Sequence, residues 1–244
     1  YNCEHSIFKS IGYTLRNVYA RWTKAYLKNV DMFACITEFQ KKKLIETGYD
    51  KNKITVIPNS IDAPCSYTLT TGGYIAYIGR LSYEKGYDLL VEVARKHPEI
   101  KFCFAGAQRE QKNTDIPSNV EFAGYLQKDK LLEFIQKARF IVIPSRCYEG
   151  FPMAILEAAC HGKPAIAPNH GGFTEIIGQG ENAIGKLFEP GNTDDLDKQI
   201  AELWNNQTLT EELGEKAFKK LKKHYDSEVV YKQWETLFSK LKNS

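Results

Sequence analysis

The chain of 244 residues has 43% hydrophobic and 26% charged residues, an ordinary globular composition that excludes long disordered stretches. Its 33 basic and 30 acidic side chains leave a formal charge of +3, a balance too even to indicate nucleic-acid binding. No apolar run approaches the roughly 18 residues of a membrane-spanning helix, and the first residues lack the features of a signal peptide, so we expect a cytoplasmic protein.

Seven short apolar runs predict buried strands, and a stretch of helical periodicity follows each of them. The predicted strands are 31–37, 54–58, 74–79, 101–106, 119–124, 140–145 and 164–168. This alternation requires right-handed crossovers, and it therefore predicts a doubly wound α/β fold whose parallel sheet is covered on both faces. Ligands of such folds bind beyond the carboxyl ends of the strands, so we expect the site in those loops.

The polar stretch 59–73 separates two predicted strands and contains Pro64 and two glycines, which is typical of an interdomain linker. It predicts a domain boundary near residue 62. The segment from 227 onward carries an apolar stripe at helical spacing, which needs a surface to cover it. The stripe consists of Val230, Trp234, Leu237, Phe238 and Leu241.

The stretch 140–167 predicts a strand, a loop, a helix and a second strand. Pro152 suits the first helical turn, and Gly162 suits the left-handed position after the helix end. Glu149 then precedes the helix and Glu157 lies about two turns further on. The unpaired N–H groups of the first turn favour a phosphate or sugar oxygen nearby. Taken alone, Glu149 also fits a loop residue that compensates the helix dipole, and Glu157 a solvated helical residue.

The stretch 74–90 predicts a strand, a turn with the two cations Arg80 and Lys85, and a helix. The cations can converge on one anion if the turn folds back. At an effective dielectric of 20, two charges about 4 Å apart interact by about 4 kcal/mol, enough to favour the departure of a pyrophosphate. An ordinary solvated turn at Lys85 and Gly86 is the alternative.

Two glutamates separated by seven residues, with Gly150, Phe151, Pro152 and Met153 directly after the first, resemble the motif of glycosyltransferase family 4. Members of this family are retaining enzymes of the GT-B fold that move a sugar from a nucleotide sugar. Two further motifs resemble the same family. Gly79-Arg80 followed by Lys85-Gly86 resembles its diphosphate-binding pattern, and Gly171-Gly172 resembles its paired glycines beside the donor sugar.

The resemblance extends from about residue 3 to the end of the chain, and it departs from the family at two places. Thr174 stands where proline is frequent, and Ala107-Gln108 stands where a second glycine is frequent. For this reason, the base and the sugar of the donor are not specified by the resemblance.

The resemblance implies an α/β protein of GT-B type in an N-terminally truncated chain. Residues 63–226 are expected to form a doubly wound, Rossmann-like donor domain. Residues 1–62 are expected to be the remnant of a second Rossmann-like domain, the acceptor domain, together with the linker. The helix within 227–244 is expected to cross back and pack on residues 1–58.

The resemblance also implies roles for individual residues. Arg80 and Lys85 bind the diphosphate, Glu149 is catalytic and holds the donor sugar with the backbone of 150–153, and Glu157 holds the ribose hydroxyls. His5 is a second catalytic candidate beside the acceptor, and Lys9 is a candidate for the acceptor phosphate. A capped helix start or a structural histidine is the alternative there.

The function implied is a retaining hexosyltransferase in the synthesis of cell-surface polysaccharide or glycoconjugate. A UDP-sugar is the favoured donor, a GDP-sugar is a second possibility, and the acceptor is a glycan or a lipid-linked molecule. Basic residues between 9 and 43 leave open a peripheral contact with the inner face of the membrane. Two other classes stay open: a nucleotide-sugar epimerase of the same fold, and a non-catalytic nucleotide-binding module that regulates a partner.

Asp195 and Asp197 fit the Asp-x-Asp string of metal-dependent glycosyltransferases. Asn192 and the acidic residues after it directly precede an amphipathic helix, however, which favours helix capping. We therefore predict neither a metal site nor a cofactor. The six cysteines include no Cys-x-x-Cys pair and are interpreted as reduced thiols.

Overall fold

The computed structural model describes residues 7–108 and 115–242. The elements before residue 59 are α1 (Ile7–Thr23), α2 (Ala25–Asn29), β1 (Phe33–Cys35), α3 (Glu38–Glu46) and β2 (Ile54–Val56). After the predicted linker follow β3 (Tyr74–Ile78), α4 (Tyr87–Lys96), β4 (Phe102–Ala105), β5 (Val120–Gly124), α5 (Asp129–Lys137), β6 (Ala138–Val142), α6 (Met153–Ala159), β7 (Ala165–Pro168), α7 (Gly171–Ile177), β8 (Gly185–Phe188), α8 (Thr193–Asn205), α9 (Gln207–His224) and α10 (Ser227–Lys242).

Each of the seven predicted strands is present, although β6 begins two residues earlier than expected, at Ala138. The strand β8 was not predicted. Its run is short, and Gly185 and Lys186 interrupt the apolar pattern. Gly185 is required there because a Cβ at this position would lie 2.1 Å from the carbonyl oxygen of Ala165 on the neighbouring strand.

Within the described residues, six strands form one parallel sheet in the order β5-β4-β3-β6-β7-β8. The strands that follow β3, namely β4 and β5, are added on one side of it, and those that follow β6, namely β7 and β8, are added on the opposite side. The predicted doubly wound α/β arrangement is confirmed. Because the strand order reverses between β3 and β6, a crevice opens beyond their carboxyl ends, where such folds bind ligands.

Alternate side chains of the central strands point to opposite faces of this sheet. Ile75 and Tyr77 pack with α4 and α8, whereas Ala76 faces the cluster formed by α5, α6, α7 and α9. Large side chains such as Phe140 are fully buried. Since both faces are covered, the strands are almost continuously apolar, which explains why the sequence pattern located them.

Residues 7–58 contain a separate two-stranded parallel sheet, β1 with β2. Its end is fixed by a hydrogen bond from the N–H of Ile57 to the carbonyl of Cys35, at 2.8 Å. Four residues later, Ile61 donates to the carbonyl of Tyr225 and accepts from the N–H of Ser227. The segment between the two sheets is therefore hydrogen-bonded to the two-stranded sheet at Ile57 and to the start of α10 and the residue before it at Ile61.

Further along the linker, the buried amine of Lys163 donates to the carbonyl and to the hydroxyl of Thr70, each at 2.7 Å. Burial lowers the pKa of Lys163 to about 8. The later part of the linker is thus held on the six-stranded sheet unit.

In the final helix, α10, Val230 is buried and Trp234 is half-buried. Phe238 is 61% exposed and stacks on Trp234 with ring centres 5.7 Å apart. A groove of about 880 Å³ lies between α10 and residues 57–60. Packing of the helix on residues 1–58 stays a prediction. Of the helices that the structure describes, none is long and apolar enough to cross a membrane.

Candidate active site

A cavity of about 300 Å³ opens beyond the carboxyl ends of β3 and β6. Its charged lining, within the described residues, comes from Arg80 and Lys85 on one side and from Glu149 and Glu157 on the other. The first two follow β3, Glu149 follows β6, and Glu157 lies on α6. The structure therefore brings two cations and two carboxylates, identified from separate motifs, to one cavity.

The turn after β3 depends on Gly86. This residue has φ of 69°, and a Cβ on it would lie only 1.8 Å from the carbonyl oxygen of Pro144. A side chain is excluded by both the backbone conformation and the lack of space. The turn consequently lies directly against the chain that leaves β6, which places Lys85 beside the loop that carries Glu149.

Lys85 and Glu149 form an ion pair, with the amine donating to Oε1 at 2.7 Å. The two side chains are only 21% and 18% exposed. Arg80 instead faces Glu84 at 3.6 Å, and both of these side chains are more than 40% exposed. An exposed pair of this kind contributes little to stability. Arg80 can therefore reorient toward a ligand more easily than Lys85.

Tyr77, a residue that the sequence analysis missed, also lines the cavity. It is buried, and its hydroxyl donates to the carbonyl of Arg80 at 2.6 Å. Burial raises the pKa of Tyr77, so the hydroxyl stays protonated and remains a donor. A tyrosine inside a buried strand needs such a partner, and its position two residues before Gly79 is the signal that could have identified it.

Glu157 is half-buried on α6, and burial raises the pKa of its carboxyl. Among the described residues, no ion pair or hydrogen bond to this carboxylate offsets the cost of burial. A carboxylate that lines a cavity without a protein donor is suited to accept hydrogen bonds from ligand hydroxyls. The role of Glu157 in holding the ribose stays a prediction.

Pro152 and Met153 line the cavity at the start of α6. Pro152 lies one residue before the first helical turn rather than in it. Gly162, after the helix, has φ of 62°, which confirms the predicted left-handed position. Because α6 has only seven residues, its dipole is a smaller contribution to anion binding than Arg80 and Lys85.

The other predicted donor-site residues do not line the cavity but contact or belong to the loop that carries Glu149. They are Gly150, Phe151, Gly171 and Gly172. Gly172 donates its N–H to the carbonyl of Glu149 at 3.2 Å, and a Cβ on it would lie 2.5 Å from the carbonyl oxygen of Gly150. Gly171 has φ of 59°. Phe151 packs edge-on against Tyr225. These residues support the backbone around Glu149, and their contact with a donor stays a prediction.

The two acceptor candidates are less informative. His5 lies outside the described residues. Lys9 is exposed in the first part of α1, and it is not among the residues that line the cavity. The roles of both residues stay predictions.

The alternative Asp-x-Asp string lies elsewhere, at the start of α8. Asn192 Oδ1 accepts from the N–H groups of Asp194 and Asp195, which confirms the capping interpretation. Asp197 contacts His97, with Oδ1 2.6 Å from Nε2. Asp195 Oδ2 accepts from the N–H of Glu189 at 2.6 Å, so these two carboxylates fix the start of α8 to the loop before it and to the residue that follows α4.

Comparison with known families decides which family this fold and cavity represent. The model described as glycosyl transferases group 1 matches residues 68–220. The chain belongs to this family. A second model, described as glycosyltransferase family 4, matches residues 3–63 of the same chain.

This group 1 member is 32% identical over 193 residues to an uncharacterized glycosyltransferase of Methanocaldococcus jannaschii, covering 77% of this chain and 53% of that protein. The chain spans about half, or less, of the length of the curated relatives it matches.

Two solved structures have a similar fold. Anabaena HepE, in complex with UDP-glucose, matches with a TM-score of 0.75 at 19% identity. The match covers 87% of this chain and 65% of the HepE chain. Sucrose-phosphate synthase of Thermosynechococcus elongatus matches with a TM-score of 0.76 at 21% identity. The match covers 90% of this chain and 60% of the synthase chain. The predicted GT-B type of fold is confirmed.

Proposed function

We propose that the protein transfers a sugar, with retention, from a nucleoside diphosphate sugar to a glycan or lipid-linked acceptor. The observation that carries this proposal is the convergence of Arg80, Lys85, Glu149 and Glu157 on one cavity at the switch point of the sheet. Family membership agrees with the activity. The UDP-glucose complex of HepE favours a UDP-sugar over a GDP-sugar as the donor.

The cations are assigned to the diphosphate. Lys85 is compact, partly buried and already placed at the cavity by Gly86, while Arg80 has a more exposed side chain that can turn toward a second phosphate. Charge-assisted hydrogen bonds to phosphate are about twice as strong as neutral ones. The two residues supply positive charge without a divalent metal, so we propose a metal-independent reaction.

The carboxylates are assigned to hydroxyl groups. When a diphosphate attracts Lys85, Glu149 loses its partner and can accept a hydrogen bond from the donor sugar. Glu157, which lacks a donor among the described residues, accepts from the ribose. The negative charge of Glu149 also stabilises the positive charge that develops on the sugar ring during transfer.

Transfer breaks the bond between the anomeric carbon and the diphosphate oxygen. The oxygen of the acceptor hydroxyl forms the new bond on the same face, and its proton leaves with the departing diphosphate. Retention follows because both bonds lie on one face of the ring.

The proposal includes a role in the synthesis of cell-surface polysaccharide or glycoconjugate. It also includes a donor domain at 63–226 and the remnant of an acceptor domain at 1–62. Cytoplasmic location and membrane contact stay predictions.

The test is product analysis with the full-length protein. We expect release of UDP from a UDP-sugar only when an acceptor is present, with the anomeric configuration kept in the product by NMR. Glu149→Gln, which keeps the shape of the side chain, should reduce transfer, and Glu133→Gln is the control because that exposed glutamate on α5 also pairs with a lysine. Interconversion of the sugar without an acceptor would indicate an epimerase. Binding without turnover would indicate a regulatory module.

A further inference from the structure

Arg146, in the loop between β6 and Glu149, contacts two parts of the opposite turn. Its guanidinium donates to both carboxylate oxygens of Asp88, at 2.7 and 2.8 Å. It also donates to the carbonyl of Tyr83 at 2.7 Å, and it lies 4.1 Å from the centre of the Tyr83 ring. One side chain thus holds the turn before Lys85 and the first turn of α4.

The backbone forms a second connection at the same place. Arg146 donates its N–H to the carbonyl of Glu84 at 2.9 Å, and the hydroxyl of Ser145 lies 3.4 Å from the same carbonyl. The close approach of Gly86 to Pro144 lies directly beside these bonds. The turn after β3 and the loop after β6 are therefore joined along a continuous line of contacts.

Neither Arg146 nor Asp88 lines the cavity. They stand close to the residues that do, since Arg146 precedes Glu149 by three positions and Asp88 follows Lys85 by three. A bidentate guanidinium-carboxylate pair fixes both distance and orientation, which a single hydrogen bond does not. The pair is about three-quarters buried, with exposures of 22% and 26%, so bulk water screens it less than a surface pair.

We propose that Arg146 and Asp88 are positioning residues that set the spacing of Lys85 and Glu149, and thereby of the groups that bind the diphosphate and the sugar. The effect on spacing follows from the contacts alone. The effect on ligand binding rests on the proposed function.

Spacing is measured without any ligand by a zero-length carbodiimide crosslink between Lys85 and Glu149, quantified by peptide mass spectrometry in the full-length protein. The variants are Asp88→Asn, Arg146→Gln and the double variant. The pair Lys186–Glu202, with its atoms 2.5 Å apart between the edge strand β8 and α8, provides an internal reference link. Glu202→Gln is the control, because it breaks an ion pair away from the cavity whose side chains are 24% and 41% exposed.

We expect both single variants to lower the yield of the Lys85–Glu149 crosslink while the reference link is kept. The double variant should equal Arg146→Gln, because the interaction with Asp88 is already lost in that single variant. Glu202→Gln should leave the Lys85–Glu149 crosslink unchanged. Arg146→Lys keeps the charge but loses the fork. Arg146→Lys should give an intermediate yield of the Lys85–Glu149 crosslink. It is used in place of Arg146→Gln if the glutamine variant does not fold.

The second readout compares UDP with uridine by titration calorimetry. Asp88→Asn should raise the Kd of UDP about tenfold, equivalent to about 1.4 kcal/mol, and leave that of uridine unchanged, whereas a general structural defect would weaken both. Wild-type crosslink yields in folded Asp88→Asn and Arg146→Gln would overturn the positioning role. Lower yields in a protein whose wild type binds no nucleoside diphosphate would instead overturn the proposed function and leave the positioning role intact.

Discussion

The amine of Lys85 lies 2.7 Å from Oε1 of Glu149, so a cation from one loop and an anion from the next neutralise each other at the cavity. Removing either partner leaves the other partly buried and unpaired, which is costly. A ligand with both phosphates and hydroxyls gives Lys85 a phosphate and Glu149 a hydroxyl as replacement partners. The pair thus allows the cavity to hold two opposite charges, which the proposed donor would separate.

Replacing Lys85 by Gln should weaken binding of UDP by about 1.5 to 3 kcal/mol, the range for a hydrogen bond to a charged group. Titration calorimetry in the presence of a chelator measures this effect and tests metal independence in the same experiment. Lys186→Gln is the control, since it also removes a partly buried lysine from an ion pair. An absolute requirement of the wild type for magnesium or manganese would contradict the metal-independent proposal.

Glu157→Gln should weaken UDP binding by about 1 to 3 kcal/mol, because the neutral amide accepts a weaker hydrogen bond than the carboxylate. Glu149→Gln should mainly reduce transfer, since that residue is assigned to the sugar. Calorimetry and turnover assays on the two variants separate these roles. Wild-type affinity in a folded Glu157→Gln protein would show that the ribose assignment is wrong.

The same Glu157→Gln substitution should raise the thermal stability of the ligand-free protein at pH 7. Burial raises the pKa of Glu157, so the folded chain binds its proton more tightly than the unfolded chain. Stability is therefore lost as the pH rises through the unfolded and then the folded pKa. The difference in Tm between variant and wild type should grow from pH 4 to pH 7. A constant difference over that range would argue against the buried carboxylate.

Lys163 provides a pH effect of the opposite sign. Its pKa of about 8 in the fold lies below that of a lysine in the unfolded chain, so between these values the unfolded chain binds more protons. The free energy of unfolding should rise as the pH increases from about 8 to 10. Urea denaturation of wild type and Lys163→Met at several pH values isolates this effect, because the variant lacks the titrating amine. Parallel pH profiles would count against it.

The apolar stripe of α10 is predicted to pack on residues 1–58. Removing those residues should expose Trp234 and its neighbours and lower solubility. Burial of one large apolar side chain contributes about 1.5 to 3 kcal/mol, so a longer fragment with an uncovered stripe should associate. The test compares fragments 63–226 and 63–244 in dye binding and oligomeric state. If the longer fragment stays monomeric and binds no more dye, the docking prediction is wrong.

Sequence periodicity located the central strands because a sheet covered on both faces needs apolar runs, and it missed β8 because that edge strand has Gly185 and Lys186 in its run. The motif residues Arg80, Lys85, Glu149 and Glu157 could be predicted to share one cavity, since their loops follow β3 and β6. The contacts of Arg146 could not, because they depend on the distance between two loops. That distance is set by the approach of Gly86 to Pro144, which no local pattern records.

The hydrogen bonds at Ile57 and Ile61 determine where the molecule can bend. Ile57 is fixed to β1 through Cys35, and Ile61 is fixed to the six-stranded unit through Tyr225 and Ser227. A rotation of residues 7–57 against the rest must be absorbed by the three residues between, and the ring of Pro58 holds its own φ nearly constant. The backbone torsions of Asn59 and Ser60, together with ψ of Pro58, are thus the ones that such a rotation would change. Because Ser227 begins α10, the first turn of that helix would stay with the six-stranded unit in such a rotation.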